Sequence, residues 1–223
     1  VGSSGVLLIT AATVNIDLAD TSMPATQLVT QAGGVLGGSG SLTINGGFTW
    51  SGGAVSVSLS TSGTTTLNGA GDKYLNAVTW TNTGTGIVNW SDGDFNLQVA
   101  SSIFSNDGTF NIVTSNSADV IEGPGDVNNN GTLYKGSDGT INLSSANFAN
   151  GGLVNVDVGR LAFVGCNTTT SSTGRYGMAS GAVVEFYNNT HQIDTTPPIA
   201  VGSSGVLQIT AATVNIDLAD TSM

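Results

Sequence analysis

The sequence predicts an all-β chain wound as a right-handed parallel β-helix, a β-solenoid of about 23 residues per coil. Three observations point there: many Gly and few charges, short apolar–polar alternations, and a corner motif that returns once per coil.

Composition comes first. Of 223 residues, 32 are Gly and only 9% are charged. An ordinary soluble domain carries about 25% charged residues and about 7% Gly. Hydrophobic residues make up 39%, mostly in short bursts, which suffices to bury a core. Low charge, abundant Gly, Thr, Ser and Asn, and brief apolar bursts imply many short strands joined by tight turns.

The strands are read from triplets such as Phe110-Asn-Ile112, Ile141-Asn-Leu143 and Val154-Asn-Val156. Alternate residues of a strand point to opposite sides, so the outer two of each triplet face inward and stack on the coil below. The intervening Asn and Thr face water or stack in polar ladders.

The corners are read from an apolar residue followed by x-Asn-x-Gly. It recurs at Trp80–Gly84, Phe104–Gly108, Val127–Gly131 and Phe148–Gly152, with Gly spacings of 24, 23 and 21. Gly139, Gly159, Gly181 and Gly205 continue in a second phase. Gly and Asn are expected to supply left-handed corner residues, where a Cβ is costly or poorly tolerated.

A longer repeat encloses this one. Residues 1–23 read VGSSGVLLITAATVNIDLADTSM, and residues 201–223 repeat them with one change, Leu8 to Gln208. Chance does not produce such a match. It marks either near-identical tandem repeats of 200 residues or an engineered duplicate end; on the first reading, which the sequence favours, residues 1–200 are one tandem unit of solenoid and 201–223 the start of the next. At 23 residues per coil the unit holds about 8.7 coils, or ~42 Å at the ~4.8 Å spacing between strands. Ser180–Phe186 and Ser204–Thr210 match at an offset of 24, so the coil phase is expected to run through the boundary. Pro197-Pro198 there reads either as a linker between units or as a loop at a coil corner, since Pro is confined to edges and turns; the corner loop goes with a continuous solenoid.

Net charge and motifs narrow the chemistry. The formal charge is −11, and the cations are Lys73, Lys135, Arg160 and Arg175. So few cations cannot neutralise many phosphates, which disfavours nucleic acid and anionic membrane surfaces as partners. No apolar run approaches 18 residues, so no membrane insertion is expected, and no signal peptide is read. The lone Cys166 reads as a small buried hydrophobe.

Polysaccharide lyases and glycosidases also use β-helices, so an enzyme must be weighed. A lyase needs clustered cations, and none cluster in the sequence. A glycosidase needs two carboxylates flanking one bond. Acid pairs are available, notably Asp92 with Asp94 and Asp119 with Glu122, but most acids stand in turn contexts, as in Asp92-Gly93, Asp107-Gly108 and Asp138-Gly139, which explain them more simply. His191 lacks a nucleophile elbow, and Gly33–Gly38 lacks the Lys of a phosphate loop. The chain is therefore expected not to be an enzyme and to need no cofactor. Weak calcium candidates are Asp92, Asp94 and Asp126, whose turns offer carboxylate and carbonyl oxygens. Thr79, Thr81, Thr83 and Thr85 alternate along one strand but do not recur coil by coil, against an ice-binding face. Asn89, Asn130, Asn142, Asn167 and Asn188 fit the N-glycosylation pattern, as composition alone would produce.

Trp80–Gly84, Phe104–Ile112 and Phe148–Val156, with Thr49–Gly53 upstream, carry a resemblance. Over roughly residues 35–190 the chain resembles the Gly/Asn/Thr-rich β-helical repeats of bacterial surface proteins. These are the haemagglutinin-like and autotransporter-like adhesins and giant repetitive extracellular proteins. The resemblance implies secretion to the cell surface, a role in adhesion, display or matrix, and no catalytic residues. The expected function is a structural block of a long extracellular tandem-repeat fibre that associates with copies of itself, end to end or laterally. The alternatives are the stalk or binding module of an adhesin for surface glycans or cells, and a polysaccharide-degrading enzyme.

Overall fold

The computed structural model describes residues 4–166, 168–194, 200–201 and 204–217. Every regular element among them is a β-strand, and every strand pairing is parallel. Paired strands lie about 22 residues apart in sequence and stack into a β-solenoid of about nine turns. Turn length varies with the corners, from 17 residues between Phe48 and Thr65 to 26 between Phe95 and Ile121.

Each turn visits three faces. The first is a 10-stranded sheet that begins with Gly5–Ile9 and Gln27–Gln31 and ends with Arg175–Met178 and Ala200–Val201. The second and third faces share a 13-stranded sheet, because long strands such as Val120–Asn129 and Thr140–Asn150 bend across the corner between them. Register shifts between Gly123 and Asp126 at that bend. Thr168–Ser172, Thr190–Asp194 and Thr213–Asp217 form a 3-stranded sheet at the far end of the third face.

Strand alternation decides what lies inside. On the first face one inward column runs Phe48, Thr65, Val88, Phe110, Leu133, Val154, Tyr176. The third face contributes Leu42, Leu59, Trp80, Phe104, Val127 and Phe148, one above the other. Aromatics meet on the axis both within a face and between faces. Trp80 lies 4.7 Å from Phe104 and 5.7 Å from Phe95, and Phe104 lies 5.2 Å from Phe110. Such pairs add about 0.5–1.5 kcal/mol beyond the area they bury. The repeated alternation therefore builds one continuous core along the rod.

Beyond residue 200 the stack continues. Val206–Thr210 pairs with Val183–Tyr187, and Thr213–Asp217 with Thr190–Asp194. The offset is 23, not the 24 read from the sequence match. A slip of one residue would turn every side chain over. The observed register keeps Leu207 over Val184 and Ile209 over Phe186, apolar on apolar. Pro197-Pro198 lies outside the described residues.

Candidate functional site

Two polar features are built into the corners, and the first is a ladder. The Asn of each apolar-x-Asn-x-Gly motif points inward and is buried: Asn82, Asn106, Asn129 and Asn150. Asn82 Nδ2 donates to Asn106 Oδ1 at 2.7 Å, Asn106 to Asn129 at 2.8 Å, and Asn129 to Asn150 at 2.8 Å. Each amide also donates to a carbonyl where the next turn leaves the corner: Thr109, Thr132, Leu153 and Arg175, at 3.0 to 3.1 Å. Asn82 Oδ1, at the lower end, is buried without a donor. The expectation that these Asn supply left-handed corners is corrected, since none of the four has positive φ. Stacking a side-chain amide on its own kind satisfies both its donor and its acceptor inside the core, which a solvated corner does not require.

The glycines divide the same way. In the corner after the ladder, glycine is required by close approach. A Cβ on Gly131 would lie 2.1 Å from Gly108 O, and one on Gly152 2.0 Å from Gly131 O. In the corner between first and second faces conformation is added to contact: Gly93 has φ +71° and Gly159 +72°, and a Cβ would lie 2.7 Å from Gly69 O or 2.5 Å from Gly139 O, whereas Gly181, φ +81°, has open space around it.

That second corner holds the other feature, an acidic pocket of about 190 Å³ lined by Asp72, Asp92, Asp94, Asn116 and Asp119. The fold thus brings the calcium candidates Asp92 and Asp94 together, and adds Asp72 and Asp119. Asp126 does not line it. It sits where the chain bends onto the third face, accepting from Asn147 Nδ2 at 2.7 Å. All four pocket carboxylates accept from side chains or backbone of neighbouring residues. Asp119 accepts from Thr114 Oγ1 at 2.6 Å and Asn116 Nδ2 at 2.7 Å, and Asp94 Oδ1 from Val120 N at 3.0 Å. Asp72 Oδ2 accepts from Tyr74 Oη at 2.7 Å, which raises the Tyr74 pKa. The fourth, Asp92, accepts from Gly93 N at 3.0 Å. Among the described residues, no group of three or more His, Cys, Asp or Glu is arranged to hold a metal ion.

The cation beside this pocket belongs to the chain. Lys73 is buried in the inward column below Phe95 and Ile121, and its Nζ donates to Gly69 O at 2.6 Å and to Asp92 O. Burial lowers its pKa, and Asp92, Asp119, Asp72 and Asp94 oppose that shift. Lys135 repeats the device on the first face. It stands between Ile112 and Val156, and its Nζ reaches the carbonyls of Ser137 and Val158 at the same corner. Burial lowers its pKa too. Strand alternation puts Lys135 on the same side as Leu133, a signal that the sequence carries but that the rarity of fully buried Lys outweighs.

The other candidates resolve simply. Arg160 pairs with the buried Glu185, which also accepts from Thr210 Oγ1 at 2.7 Å. Cys166 is buried and donates to Leu143 O at 3.0 Å. His191, which lacks a nucleophile elbow, is buried, its ring 4.8 Å from Phe186. Its Nε2 contacts Asn188 O at 2.9 Å, and burial lowers its pKa. Asp92 lies at the acidic corner and His191 beyond the opposite end of the second face, with no shared site. All three Trp are buried, so no indole is offered to a sugar ring. The outer surface carries short polar residues in columns, such as Ser60, Thr81, Ser105 and Asn128.

No protein-family model, curated protein or solved structure matches this chain.

Proposed function

We propose that the chain is a structural unit of an extracellular fibre made of tandem β-solenoid repeats. The observation that carries this reading is the near-identity of residues 1–23 and 201–223, together with a stack of strands that passes into the second copy. A solenoid turn buries its core against its neighbours, so each added repeat stabilises the next, and identical repeats suit a task that every unit performs alike. Polar chemistry that could serve a ligand is spent within the rod: Asn on Asn, Lys on corner carbonyls, pocket carboxylates on neighbouring donors. The net charge of −11 keeps parallel rods from coalescing. The extracellular setting rests on the resemblance to bacterial surface repeats.

Electron microscopy of the parent protein tests the reading. A rod of uniform width is expected, with layer lines at the ~4.8 Å strand spacing. Globular beads on flexible links would overturn it. Antibody labelling of intact source cells tests the location, and signal that appears only after lysis would refute it.

A further inference from the structure

The two copies of the repeated segment do not occupy equivalent places. In the first copy Gly5–Ile9 lies on the first face and Thr13–Asn15 on the second. In the second copy Val206–Thr210 lies on the second face and Thr213–Asp217 on the third. The side chains that point inward are nevertheless the same, Leu7 and Ile9 in one and Leu207 and Ile209 in the other. The single difference, Leu8 against Gln208, falls on an outward position both times.

The edges used are complementary. Among the described residues, the first copy of the segment pairs with strands C-terminal to it, Gly5–Ile9 with Gln27–Gln31 and Thr13–Asn15 with Val35–Gly37. In the second, the described strands Val206–Thr210 and Thr213–Asp217 pair with strands N-terminal to them, Val183–Tyr187 and Thr190–Asp194. A parallel strand inside a solenoid needs both edges, and one copy supplies each. Exposure agrees. Ile9, covered by the next turn, is 1% exposed, whereas Ile209, lacking that cover, is 49% exposed. At the opposite end Leu7, Ile16 and Met23 line a cavity of about 590 Å³. In the second copy, residues equivalent to Leu7 and Ile9 rest on Val184 and Phe186.

We infer that the 23-residue segment splices consecutive units into one unbroken solenoid, and that each unit is advanced by one face relative to the last. This rests on the fibre reading. The occupant of the open cavity is the turn Val183–Asp194 of the preceding unit, seated as the second copy shows. The ten strands of the first face, Gly5–Ile9 to Ala200–Val201, span nine turns, and one more face brings the chain to Val206–Thr210. The offset of 200 residues therefore spans nine and one third turns. A unit then rises ~45 Å, slightly more than sequence spacing alone implies. It steps by about 120° in a three-sided solenoid, apart from any twist of the stack. Every third unit presents the same face. The acidic corner around Asp72, Asp92, Asp94 and Asp119 thus appears in turn along all three edges of the rod, and no side of the fibre is chemically unique.

The test is cryo-electron microscopy of a chain of three consecutive units joined through the shared segment, traced strand by strand. The expected trace has the strand equivalent to Val206–Thr210 sandwiched between Val183–Tyr187 and the next unit's Gln27–Gln31, with successive acidic corners on successive edges. A continuous rod in which every unit repeats on the same face refutes the one-face step and leaves the fibre reading standing. Three separate bodies joined by flexible links refute the fibre reading itself.

Discussion

Removing one rung of the asparagine ladder should cost far more than its surface area suggests. Asn106 lies in the middle, accepting from Asn82 and donating to Asn129 Oδ1 and Thr132 O. In Asn106→Ala, Asn82 Nδ2 keeps Gly86 O and Thr109 O as partners. Asn129 Oδ1 loses the donor that satisfies it inside the core. An orphaned buried acceptor costs about 1–3 kcal/mol, and each ordinary hydrogen bond lost about 0.5–1.5 kcal/mol. With two further bonds gone and a small void left, the sum is about 3–5 kcal/mol. Asn82→Ala should cost about 1–3 kcal/mol less: each change loses three bonds and orphans one ladder oxygen, but this one also removes an oxygen that is already unsatisfied. Asn106→Asp supplies a pH signature. Its carboxylate would face Asn129 Oδ1, acceptor against acceptor, so burial and this contact raise its pKa. Folding is then favoured at low pH, where the acid is protonated and can donate, and weakens as pH rises past the unfolded Asp value near 3.9. The assay is urea unfolding monitored by fluorescence of the buried Trp residues, with slopes compared so that midpoint shifts report stability. Ser105→Ala, on the outward side of the same strand, is the control and should change little. A loss below about 1 kcal/mol for Asn106→Ala would refute the claim that the ladder's bonds carry the corner. So would Asp and Ala variants that track each other at all pH values.

Buried cations, the buried histidine and the corner glycines each give a further expected outcome. The pKa of Lys135 is lowered from 10.5 by burial, so between that lowered value and 10.5 the unfolded chain binds more protons. Wild type should therefore gain stability over Lys135→Met as pH rises through that window, and parallel curves would show that the ammonium is not desolvated. His191, also lowered by burial from 6.5, gives a loss of stability as pH falls below 6.5, where the unfolded imidazole takes a proton that the folded one resists. Thermal melts at about pH 7.5 and 5, on either side of that value, should show this loss shrink in His191→Leu, and an unchanged pH response would refute it. Gly131→Ala should prevent or severely weaken folding, because its Cβ would strike the Gly108 carbonyl. Gly181→Ala, with φ +81° and nothing within 4 Å, should cost only the ~1–2 kcal/mol of a left-handed residue. Equal urea midpoints for the two would show that contact and conformation are not separable at these corners.

Much of the fold could be read locally. The period-two alternation in Phe110-Asn-Ile112 or Val154-Asn-Val156 sets which side chains share a side, and a steady return of Asn and Gly sets the turn length. These are properties of a few residues at a time, so a one-dimensional reading recovers them. The positions of the ladder Asn were legible for that reason, but their role was not. Asn at a corner is equally consistent with a left-handed turn and with an inward amide, and only the neighbouring turn, 21 to 24 residues away, supplies the partner that distinguishes them. Lys73 and Lys135 were hidden likewise, since the carbonyls that receive them come from corners contributed by different turns. Asp92 and Asp94 could be picked out as neighbours in sequence, whereas Asp72 and Asp119 join them only because turns stack. The face on which a strand lies depends on the accumulated length of every corner before it. Near-identical segments 1–23 and 201–223 can thus fix the same inward side chains and still occupy different faces. The sequence by itself determined a repeating parallel coil with defined inside and outside. The tertiary structure decided which buried polar groups meet, and that the 200-residue offset closes on a third of a turn, because both depend on how whole turns stack rather than on any one of them.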